Sequence, residues 1–92
     1  MTTTTRPLYE IAKDIVADLN EQYPYTGKPR PSWLSYAGPY IVAMAQLESI
    51  DEDYGADSGK SVVLYALSNL SYWRGDTARA VKAELKSIAG IK

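Results

Sequence analysis

Apolar residues along this chain recur mainly at helical spacing. Leu8, Ile11, Ala12, Ile15, Val16 and Leu19 fall three and four apart, which predicts an amphipathic helix from about Pro7 to Glu21. Pro7 suits its first turn, where a missing N–H costs nothing, and one of Thr2–Thr5 is the expected cap. A second helix is expected to start between Ser32 and Pro39, capped by Ser32 or Ser35, and to end near Ser49. Tyr40, Ala43, Met44 and Leu47 share its inward face, with Tyr36 extending that face if the helix starts early. Gly38-Pro39 implies a late start or a kink. A third helix, capped by Asp57 or Ser58, is expected to run to about Trp73. Its inward residues are Val63, Ala66, Leu67 and Leu70, and Val62, Leu64 and Tyr65 widen the apolar surface, as in a central helix. Asp76 is placed as the cap of a fourth helix whose inward stripe is Ala78, Val81, Leu85 and Ile88. Lys82 and Lys86 lie toward its negative dipole end, and Gly90 suits its close. No segment reads as a strand. The predicted fold is all-α: a flexible N-terminus (1–6), then one compact domain (7–92) of about four helices.

Between the first two helices, Tyr23 to Ser32 contains three prolines and a glycine, which forbid a helix and predict an extended connection. Its aromatics, Tyr23 and Tyr25 with neighbouring Trp33, are joined by Lys28 and Arg30 on a stiffened backbone. Aromatic and arginine side chains are enriched among binding hot spots, and a stiff segment loses little entropy on ordering. These five residues are therefore the candidate partner-binding surface. The competing expectation is that Trp33 and one tyrosine cover the open end of the bundle.

The chain has 92 residues, enough for one small core, and 46% of them are apolar. It contains no cysteine and no histidine. Disulfides, zinc fingers, iron–sulfur sites and histidine-based hydrolases are thereby excluded. No catalytic, cofactor or metal residue is assigned, and no enzyme is expected. The eight tyrosines, in a chain without phenylalanine, each need a hydrogen-bond partner or a place at the surface.

Net charge is −1, but it is unevenly distributed. Residues 1–57 carry four basic and nine acidic groups, and residues 58–92 carry six basic and two acidic groups. Glu10, Asp14, Asp18 and Glu21 line one stripe of the first helix, a solvated face or an acidic docking surface. Like charges one turn apart cost about 0.2–0.5 kcal/mol per pair, so tertiary packing must hold this helix. Arg79, Lys82 and Lys86 line the fourth helix, with Arg74 before it. The third and fourth helices, with their short glycine turn, permit a helix-turn-helix reading in which Arg74, Arg79, Lys82 and Lys86 contact nucleic acid. Asp76 at the start of the reading helix would repel phosphate, and the overall charge is not basic, so DNA is the alternative partner rather than the expected one. The acidic and basic stripes are complementary, either within the chain or across a homo-oligomer.

Two familiar motifs are approached and missed. Gly55 to Ser61 ends like a phosphate-binding loop, but the first glycine is one position late and no strand precedes it. Asp51, Asp53 and Asp57 suggest a calcium loop, but Ala56 stands where glycine is needed and Val62 where the bidentate glutamate is needed. Arg74-Gly75-Asp76 reads as a chance turn. No apolar run reaches membrane-spanning length, and no export signal is visible, so a cytoplasmic location is expected.

Several blocks, in order, resemble a family of small proteins from phages of actinobacteria, including mycobacteriophages. They are Arg6 to Ala12, Pro39-Tyr40 with Ala43-Met44, Tyr54 to Ser58, Val63 to Asn69, Trp73 to Arg79 and Lys82 to Lys86. Gly38 and Gly59 stand where a more helix-favouring residue is expected. The resemblance carries no catalytic residue with it. It implies expression in a bacterial host and a role through contact with a host or phage protein, with a structural or assembly role in the phage as a further alternative.

Overall fold

The computed structural model describes residues 6–24 and 30–90. Four helices, α1 (Leu8–Gln22), α2 (Trp33–Met44), α3 (Gly59–Asn69) and α4 (Asp76–Ala89), are joined by a minimal hairpin of β1 (Asp53–Tyr54) and β2 (Asp57–Ser58) between α2 and α3. The principal helix contacts run α1 to α2, α2 to α3, α3 to α4 and α4 back to α1, closing a ring around one core. Ile11 and Ile15 of α1, Met44 of α2, Val62 and Val63 of α3 and Leu85 of α4 are fully buried there, together with Leu70 and Trp73 from the α3–α4 connection. Among the described residues no polar or charged residue is buried. The molecule is thus mostly helical, with one small sheet that the apolar pattern did not predict.

That hairpin pairs Asp53 with Ser58 and Tyr54 with Asp57. Gly55 takes its turn with φ 62°, where glycine has no Cβ to clash. All four strand residues are exposed, so no alternation of apolar and polar positions marks them. The carbonyl of Glu52 accepts the Gly59 amide at 2.6 Å. A Cβ on Gly59 would lie 2.8 Å from Ile50 Cα and 2.9 Å from the Glu52 oxygen, so the loop rests directly on the first residue of α3.

The helix ends differ from expectation in informative ways. The first amides of α1, Leu8 and Tyr9, donate to the carbonyls of Glu48 and Leu47 at 2.9 and 3.0 Å. The α2–β1 connection therefore supplies the cap, and the threonines expected to do so lie outside the described residues. Ser32 precedes α2 without a side-chain bond to it, and Ser35 lies inside the helix. Pro39 is also inside, so α2 takes the early start. The carbonyl of Ser35, which loses its donor to Pro39, belongs to an exposed turn where water can replace it. Gly38 removes the Cβ that would crowd the proline ring from the preceding residue. Ser58 caps α3 as expected, accepting the Ser61 amide at 3.1 Å. That helix stops at Asn69, short of Trp73. Asp76 is the first residue of α4 rather than its cap; Gly75, at φ 118°, precedes it, and the Asp76 carboxylate pairs with Arg79 instead. Gly90 closes α4 in the left-handed conformation.

Gly59→Ala tests the close approach of the loop. Helix preference alone would raise stability by about 0.5–1 kcal/mol. Because the new methyl meets backbone atoms, the expected outcome is a loss of about 1–3 kcal/mol in urea unfolding. An unchanged or higher midpoint would show that the loop does not sit on α3.

Candidate interaction surface

The segment expected to meet a partner is only partly on display. Tyr23 and Trp33 form an edge-to-face pair, with centroids 6.1 Å apart and planes at 83°. Both are half-buried and pack on the core, closing the end of the bundle between α1 and α2. Arg30 is half-buried and donates to the Asn20 side chain at 3.4 Å. Tyr25 and Lys28 lie outside the described residues.

The basic stripe of α4 also divides. Arg74, Arg79 and Lys86 are exposed, with Arg79 paired to Asp76 one turn earlier. Lys82 turns inward and donates its ammonium to the backbone carbonyl of Trp73. Burial, then repulsion from Arg74 and Lys86, holds the Lys82 pKa below the ordinary lysine value. Lys82 thus serves the α3–α4 connection rather than the solvent-facing stripe.

The acidic stripe of α1 divides in the same way. Asp18 accepts the indole N–H of buried Trp73 at 2.6 Å and the Gln22 amide at 2.6 Å, and Gln22 also reaches the Arg74 carbonyl at 2.9 Å. Asp14 accepts from Arg6 at 2.6 Å, while Arg6 grips Glu84 of α4 with two bonds of 3.0 and 2.7 Å. These bonds, to Glu84 first and Asp14 second, push the Arg6 pKa upward. One cation therefore fastens the entry of the chain to both α1 and α4. Glu10 and Glu21 remain exposed.

The surface that sequence reasoning passed over is α2. Residues 31–47 contain no charged side chain, and the whole of α2 falls within them. A surface helix ordinarily turns a charged or polar face to water. Here the outward residues are Ser35, Tyr36, Pro39 and Val42, with Tyr36 68% and Val42 56% exposed. Tyr36, expected on the inward face, points to solvent, as does Val16 of α1, which is 43% exposed. Between α1 and α2 runs a shallow groove of about 200 Å³ lined by Val16, Asn20, Leu34, Gly38 and Val42 among others. A neighbouring hollow of about 280 Å³, lined by Ala12, Lys13, Val16, Ala17 and Ala45, continues it. On the other flank Tyr40 of α2 lies against Tyr65 of α3, with centroids 5.4 Å apart, and Tyr65 is itself half exposed. The signal lies in the sequence as the missing charges, but the inward periodicity falls on residues that a two-sided helix also displays.

A cleft of about 350 Å³ gathers Arg6, Glu48, Ser49, Asp51 and Ser87 at the opposite end of α1 from Tyr23. The Ser49 hydroxyl there accepts the Asp51 amide at 3.1 Å, a turn-forming bond. Among the described residues no group of three potential metal ligands converges. None of their helices is long and apolar enough to cross a membrane. Compared with known proteins, the chain matches no family model, no curated protein and no solved structure.

The division of the acidic stripe is testable. Asp18→Ala strands the indole N–H of Trp73 and is expected to cost about 1–3 kcal/mol. Glu21→Ala, on the same stripe, is expected to stay within about 0.5 kcal/mol of the parent. Equal effects in thermal or urea unfolding would contradict the assigned role of Asp18.

Proposed function

We propose that the protein works without catalysis, by binding another protein through the uncharged outer face of α2 and its groove with α1. The single observation that carries this reading is Tyr36 and Val42 standing exposed on a helix with no charged residue. Burying the α2 side of this face covers no charge, while Arg30 and Lys13 stand at the edge of the groove, and each apolar Å² removed from water is worth about 25 cal/mol. A tyrosine adds a rigid, amphipathic contact of the kind enriched in binding hot spots. Tyr25, Lys28 and Arg30 border this face in sequence and extend the proposed surface, while Tyr23 and Trp33 brace it from within. The resemblance of the residue blocks, in their order, to small actinobacteriophage proteins gives the proposed setting: a phage product acting on a host or phage protein in the bacterial cytoplasm.

The test uses the immobilised protein and host lysate, with captured proteins identified by mass spectrometry. Val42→Glu, at an exposed position, is expected to keep the melting temperature within a few degrees and to lose the captured partner. Lys86→Glu, on the basic stripe of α4, is expected to retain it. The reverse pattern would move the binding surface to α4 and overturn the proposal.

A further inference from the structure

We draw no further inference here: the strongest candidate, the uncharged outer face of α2 with Tyr36 and Val42 exposed beside the α1 groove, belongs to the surface already described, and nothing in the structure shows what covers it.

Discussion

Trp73 holds the fold together from a place outside every helix. It is the largest fully buried side chain, and it enters the core from the α3–α4 connection. Burying an indole removes more apolar surface than any other residue here, but its N–H must find an acceptor. Asp18 of α1 provides one. The backbone of the same residue donates to Leu70 and accepts from Lys82 of α4. One residue is thus bonded to α1, to the end of α3 and to α4, so the connection, rather than helix propensity, sets how α3 and α4 meet. The arrangement also explains how α1 tolerates its row of carboxylates. Like charges one turn apart are mildly destabilising in an isolated helix. In the folded chain Asp14 and Asp18 face Arg6 and the Trp73 indole, which offset that repulsion.

The opposite solution holds α2. Glycine and proline side by side make it a weak helix in isolation, by roughly 1 and 3 kcal/mol relative to alanine. No side-chain cap and no charged pair compensates. What keeps it helical is packing on both flanks, through Ala37, Ile41, Ala43 and Met44 on the core side and the Tyr40–Tyr65 contact with α3. Such a helix is stable only where its neighbours put it, and its outer face is left free of the charges that usually decorate a surface helix. Local weakness comes from Gly38-Pro39 and the uncharged outer face from the lack of Asp, Glu, Lys and Arg in the same stretch.

The elements most legible in the sequence are those whose pattern needs no distant partner. The buried stripe of α1 (Leu8, Ile11, Ile15, Leu19) and of α4 (Ala78, Val81, Leu85) follows directly from 3.6-residue spacing. Ser58 as a cap and Gly90 as a stop follow from local chemistry. The misses arise where tertiary contact decides. Val16 fits the α1 stripe by spacing, yet the helix is too wide an apolar target and its edge faces the groove rather than the core. Leu67 and Ile88 are half-buried for the same reason. Asp18 looks like any residue of an acidic stripe until Trp73, remote in sequence, arrives beside it. The hairpin has two residues per strand, too few for a period of two to register. Gly59 looked like a poor helix residue because the backbone of Ile50 and Glu52 that excludes a side chain there comes from a turn with no regular pattern.

Charge order along the chain becomes spatial order once the ring closes. The acidic first half contributes α1 and the basic second half contributes α4, and these two helices pack side by side. Their stripes do not simply neutralise one another across the seam. Arg6 joins Asp14 to Glu84, Asp18 turns to the indole, and Lys82 turns to a carbonyl, so each charge nearest the seam is used to fix geometry. The exposed cations Arg74, Arg79 and Lys86 lie on α4 and just before it, while α2 has no charge. In the ring α2 and α4 occupy opposite corners. A partner approaching the α4 corner must displace water from cations, whereas one approaching the α2 corner gives up only weakly held water over carbon and a phenol. In a chain that is nearly neutral overall, the placement of charge therefore makes the α4 corner the costlier to desolvate and the α2 corner the cheaper.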